Sequence, residues 1–103
     1  MSDTVIVTGV FDLDPSRRER AIAVFTEMME RTRAEEGCEH YAFSADLTDP
    51  GRFHLIEQWS SLTLNEAHVQ TPHFPTFLDQ LGGLGITAVT ITQWLGATGK
   101  RVR

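Results

Sequence analysis

Near the middle of the chain, Thr48-Asp49-Pro50-Gly51-Arg52 separates two stretches in which apolar and polar residues alternate. A turn of that chemistry between two such runs specifies an antiparallel hairpin, with strands expected over 38–47 and 53–61. Pairing Leu47 with Phe53 sets Tyr41, Phe43, Ala45 and Leu47 on one face with Trp59, Glu57, Leu55 and Phe53. Cys38, His40, Ala42, Ser44 and Asp46 take the other face with His54, Ile56, Gln58 and Ser60. A slip of one residue would mix the two sets, so the pattern argues for this parity, with the first set facing the core.

The flanking segments fit around that hairpin. Residues 5–13 are β-branched and aromatic, with Val5, Val7 and Phe11 on one face and Ile6 and Val10 on the other. Asp14-Pro15 reads as a cap followed by proline at the first helical position, in competition with a Ser16…Glu19 capping box. Ala21, Val24, Phe25, Met28 and Thr32 then recur at steps of three and four, and Gly37 ends the pattern. After the hairpin, Ser61 caps a short helix over 62–69. Thr71-Pro72 starts another, with Phe74, Phe77, Leu78 and Leu81 on one side, Pro75 disturbing its first turn and Gly82-Gly83 as the stop. Residues 86–95 make the last strand.

The order β-α-β-β-α(α)-β is the ferredoxin-like split βαβ: an α+β fold with a four-stranded antiparallel sheet and helices on one face. One domain spans residues 1–103, its core at 5–95, followed by a frayed basic tail at 96–103. The first and last strands are apolar on both faces: Ile6 and Val10 in one, and Ile86, Ala88 and Trp94 alternating with Val89, Ile91 and Leu95 in the other. Helices cover one face only. A second copy is the simplest cover for the other, which makes a homodimer the expectation.

Composition narrows the partners. With 41% hydrophobic and 22% charged residues the chain is neither disordered nor of low complexity. The net charge is −5, and three of the nine basic residues lie in the last four positions. Such a body repels phosphate backbones and anionic lipid, so nucleic acid and membrane are not expected partners. The single Cys38 allows no intrachain disulfide, the N-terminus has no basic region, and no apolar run approaches the ~20 residues of a membrane span. A cytoplasmic protein is expected.

Few residues carry chemistry. Glu57 alternates with Leu55 and Trp59 on the core face, where a carboxylate is either tied to a structural partner or held for proton transfer. His68 and His73 bracket the break between the two C-terminal helices, either as structural imidazoles or as proton shuttles sharing one cleft. Tyr41 and Trp59, opposite each other in the register above, make either plain core or a flat wall for a ring-shaped ligand. Metal ligation fits poorly: there is no H-E-x-x-H, no Cys/His cluster, and His54 and Glu57 fall on opposite faces of a strand. Cys38 has Glu35, Glu36 and Glu39 nearby, so it lacks the positive surroundings of a reactive thiolate.

Three blocks, E-E-G-C-E-H-Y at 35–41, I-E-Q-W-S-S at 56–61 and E-A-H-V-Q-T-P-H-F at 66–74, resemble the antibiotic biosynthesis monooxygenase domain, most closely its quinol monooxygenase branch. The resemblance covers residues 5–95. It implies a dimeric α/β barrel that oxygenates quinols or polyphenols with dioxygen, without metal, flavin or any other cofactor. Carried over by position, Tyr41, Glu57, Trp59, His68 and His73 match the family's recurrent pocket positions. The roles expected on that reading are catalytic for His68 as base, Glu57 orienting it or stabilising its charge, and Tyr41, with Trp59, His73 and Phe74 as the substrate-binding surface. Leu55 stands where antibiotic-pathway members carry Asn. His68 and Leu78 stand where haem-degrading members carry Trp and an iron-ligating His. The T-P-H segment also occurs in relatives that isomerise small phosphorylated sugars. An acid–base isomerase of a small carbonyl compound, or a non-catalytic dimeric binding protein, is therefore the alternative.

Overall fold

Asp14 and Pro15 decide where the first strand stops. In the computed structural model, which describes residues 2–103, β1 runs Val5–Leu13. Asp14 Oδ1 then accepts the Ser16 N–H at 2.9 Å, and Pro15–Arg17 forms a single 3-10 turn leading into α1, Arg18–Thr32. The Asp14-Pro15 cap therefore prevails over the Ser16…Glu19 box. Ala21, Val24, Phe25, Met28 and Thr32 are the buried positions of α1, the five that periodicity picks out. The helix ends at Thr32, earlier than the glycine suggests, and turns lead to Gly37. Gly37 has φ +81°, and a Cβ there would lie 2.4 Å from Leu64 Cδ1, so glycine is required on two grounds.

Next come β2 (Cys38–Ala45), β3 (Arg52–Trp59), α2 (Leu62–His68), α3 (His73–Leu81) and β4 (Ile86–Trp94). Ser61 caps α2 through Leu64 N–H. Pro75 is the third residue of α3, where a missing N–H leaves no intrahelical bond unmade. The glycine with positive φ after α3 is Gly85, at +62°, rather than Gly82 or Gly83. The sheet order is β2-β3-β1-β4 with every pairing antiparallel, which is the ferredoxin-like topology.

The hairpin register differs from the sequence reading by two residues. Ala45 pairs with Phe53, Phe43 with Leu55 and Tyr41 with Glu57. The cause is Asp46. Its Oδ1 accepts from Thr48 N, Thr48 Oγ1 and Asp49 N, which ends β2 at Ala45 and leaves Leu47 fully exposed in the loop. A shift of two preserves the faces, so Tyr41, Phe43, Leu55, Glu57 and Trp59 still point to the core. An irregularity between Cys38 and His40 sets Cys38 opposite Trp59.

The core is aromatic. Phe25 of α1 stacks on Phe43 at 4.1 Å and 6°, with Phe11, Phe53 and Phe77 around it. On the sheet's outer face Ile56 and Trp94 are about half exposed, beside half-buried Ile6 and Val10. Val89 and Ile91 pair with Phe11 and Gly9, so they stand on the helix side of the sheet. Among the described residues no helix is long and apolar enough to cross a membrane.

Candidate functional site

Between the helices and the β1–β3–β4 part of the sheet lies a cavity of about 380 Å³. Val7, Phe11 and Leu55 form its floor, while Phe74, Phe77, Leu78 and Leu81 come from α3 and Val89 and Ile91 from β4. Five polar side chains break this apolar lining: Tyr41, Glu57, Asn65, His68 and Gln93. Small-molecule sites share this mix of apolar walls and a few convergent polar groups.

Glu57 owes its place to strand alternation, which turns it inward between Leu55 and Trp59. It is 6% exposed, and its Oε1 accepts the Trp59 indole N–H at 2.8 Å. Burial raises its pKa to about 7; the Trp59 hydrogen bond opposes the rise and the charge of Glu35 adds to it. Tyr41 is directly across the hairpin from Glu57. Burial, and then the Glu57 charge, push its phenol far above the ordinary range, so it stays a proton donor.

His68 ends α2, and its Nδ1 lies 2.8 Å from Glu35 Oε2. Burial lowers its pKa against the opposing pull of Glu35. Its ring is 5.1 Å from Trp59, 5.3 Å from Phe74 and 5.7 Å from Tyr41. With the Glu35 oxygen as acceptor, Nδ1 carries the proton, and Nε2 is left as the acceptor atom of a residue that lines the cavity.

Of the six positions named from sequence, Tyr41, Glu57, His68 and Phe74 line the cavity. Trp59 does not: it is fully buried behind the wall, holding Glu57. His73 lines a separate groove of about 230 Å³ between α1 and α3, with Glu27, Arg31 and Gln80. The carboxylate bonded to His68 is Glu35, in place of the expected Glu57, and the same Oε2 takes His73 Nε2 at 2.7 Å. Glu35, His68 and His73 thus bring three potential ligand atoms within 4.8 Å of one another, a cluster that local spacing conceals. Sequence reasoning also passed over Asn65, which is buried and accepts from Gln93 Nε2 at 2.7 Å. Polar residues buried on opposite walls leave no local pattern. Cys38 has its thiol pKa raised by burial and by Glu35 and Glu57, in line with an unreactive role.

Comparison with known proteins places this geometry in a family. The family model described as antibiotic biosynthesis monooxygenase matches residues 4–80. The Escherichia coli protein named "Probable quinol monooxygenase YgiN" is 31% identical over 74 residues, 64% of this chain and 71% of that protein. Rv0793 of Mycobacterium tuberculosis is 30% identical over 92 residues, 89% of this chain and 90% of its own. The solved Rv0793 structure superposes with TM-score 0.82, 28% identity and coverage of 97% and 99%. A crystal structure from Deinococcus radiodurans reaches 0.88 at 26% identity, covering 96% of this chain and 98% of that one. The chain spans about half the length of a Synechocystis relative, sll1783, to which it is 32% identical. The chain belongs to the antibiotic biosynthesis monooxygenase family.

Proposed function

We propose that the protein is a cofactor-independent monooxygenase that oxidises a quinol or related electron-rich phenol with dioxygen. One observation carries this reading. A single apolar cavity holds a histidine, His68, whose pKa burial lowers, beside a carboxylate, Glu57, whose pKa is about 7, so proton transfer at neutral pH is available inside an apolar site. The name of the Escherichia coli relative gives the substrate class its independent support.

In this mechanism His68 Nε2 takes the hydroxyl proton of the phenol. The resulting phenolate passes one electron to dioxygen, and the radical pair recombines at a ring carbon as a hydroperoxide. Loss of water leaves a carbonyl, so one oxygen atom enters the product and the other leaves as water. A quinol thereby becomes a hydroxyquinone. Tyr41, held protonated, donates to a ring oxygen. Glu57, oriented by Trp59, accepts or returns the second proton, and Phe74 contacts the ring. The working unit is a homodimer in which the outer sheet faces meet.

The test is oxygen uptake over a panel of quinols under ¹⁸O₂, with and without chelator. The reading expects one labelled atom in the product and uptake that survives chelation. Turnover of a carbonyl compound with no oxygen consumed would replace it with the acid–base isomerase.

A further inference from the structure

Glu35, His68 and His73 meet in a way that serves more than hydrogen bonding. Glu35 comes from the turns after α1, His68 from the end of α2 and His73 from the start of α3. His68 Nδ1 and His73 Nε2 lie 2.8 and 2.7 Å from the same carboxylate oxygen. Two ligands of one ion, each about 2.0–2.1 Å from it, stand about 2.9 Å apart at right angles and about 3.3 Å apart in a tetrahedron, so the Glu35 edges need to open by only a few tenths of an ångström to admit an ion. Two imidazoles and a carboxylate suit zinc and the late first-row divalent ions. The three side chains are 4, 12 and 15% exposed, so the donors are ordered before any ion arrives.

We propose that Glu35, His68 and His73 form a binding site for one divalent transition-metal ion, and that filling it inverts the proton pattern His68 shows the cavity. The ion takes the lone pair of Nδ1. The one proton left on the neutral ring then sits on Nε2, where a lone pair stood before. His73 changes in the mirror sense, binding through Nε2 with its proton on Nδ1. Neither neutral ring gains or loses a proton, yet His68 now presents the cavity with a donor and can no longer abstract a proton. The binding itself is independent of the proposed activity; the loss of base function rests on the assignment of His68 above.

The experiment uses untagged, metal-stripped protein titrated with Co²⁺ and with Zn²⁺, followed by calorimetry and by the visible spectrum of bound Co²⁺. One ion per chain with micromolar or tighter affinity is expected. Glu35→Gln and His73→Gln should each weaken it by more than about tenfold, the low end of what disturbing a metal's outer partners already costs. His54→Gln is the control, because His54 makes the other close histidine–carboxylate contact, 2.8 Å to Asp46, and should change nothing. Circular dichroism of each variant checks its fold, and His73, which lines the open groove between α1 and α3 and makes one of the two contacts to Glu35, gives the safer variant of the two. Long-range ¹H–¹⁵N spectra of the zinc form should show the His68 proton on Nε2, and oxygen uptake should fall in step with occupancy. No ion bound at micromolar concentration, or binding unchanged in both variants, overturns the site. A His68 proton that stays on Nδ1 in the zinc form overturns the inversion, and turnover untouched with the proton on Nε2 overturns the base assignment. Absence of uptake in both stripped and loaded protein removes the oxygenase reading and leaves the binding result standing.

Discussion

Trp59 donates its indole N–H to Oε1 of Glu57, two residues earlier on the same strand and the same face, at 2.8 Å. Its fully buried ring thus acts from behind the cavity wall, by holding the carboxylate that faces in. Trp59→Phe keeps most of the packing and removes the bond. The Glu57 pKa should then rise above about 7, because that hydrogen bond is the one influence holding it down. A ¹³C carboxyl titration reads this directly, and an unmoved or lowered value would refute the coupling.

Glu57 also makes stability depend on pH. Its folded pKa of about 7 lies above its unfolded value near 4.5, so the folded state holds the proton more tightly. The stabilisation is complete below the unfolded value and is lost as pH rises through about 7. The full span is about 3 kcal/mol. Glu57→Gln, neutral throughout, should flatten that slope and be the more stable protein at pH 8. Urea midpoints at pH 5, 6, 7 and 8 check it; parallel curves for the two proteins would contradict it.

His68 should matter more to turnover than His73. His68→Ala removes the cavity-lining imidazole and is expected to cost about a hundred- to ten-thousand-fold in kcat with the fold intact. His73→Ala acts only through the shared Glu35 and should cost far less. Steady-state kinetics of both variants on one active quinol decide the order, and near-wild-type turnover of His68→Ala would move proton abstraction elsewhere.

Sedimentation should report about twice the 11.5 kDa chain mass at low micromolar concentration, since Ile56 and Trp94 leave an apolar outer sheet face in water. A folded monomer there would remove the homodimer from the proposal.

Gly37→Ala should destabilise by at least about 1–2 kcal/mol, the cost of left-handed backbone for an L-residue, before its clash with Leu64 is added. Thermal or urea unfolding measures this, and an unchanged midpoint would show that the turn can relax.

The elements and their faces were legible in the sequence because burial imposes a period on each of them. Ala21 to Thr32 repeat at helical steps, and Tyr41, Phe43, Leu55, Glu57 and Trp59 obey the period of two. What period cannot register is a shift by two, and the Asp46 turn produces one. Glu35 was illegible for a different reason. It sits among Glu36 and Glu39 in a run that reads as a solvated surface, and only the approach of α2 and α3 turns it into the common partner of two histidines. Tyr41, Glu57, His68 and Phe74 line the cavity: strand parity turned Tyr41 and Glu57 inward and helical spacing set Phe74 on the inner side, while family resemblance singled out His68. Trp59 and His73 were set apart by depth and packing that no period encodes: Trp59 is fully buried behind the wall, and His73 faces the groove between α1 and α3.

Val89, Ile91 and Gln93 give the cavity one of its walls from β4, a strand at the border of the sheet with β1 as its one neighbour. Replacing a side chain there disturbs few others, since Val89 and Ile91 are about half exposed, whereas the opposite wall is built from Tyr41 and Glu57 deep in the shared core. The molecule therefore separates what must stay constant from what is free to drift. Ligand preference can change at Val89 and Ile91 of a border strand at little cost to folding, while Gln93 stays tied to buried Asn65, and descendants of one such chain can diverge in diet while keeping the same proton-handling interior.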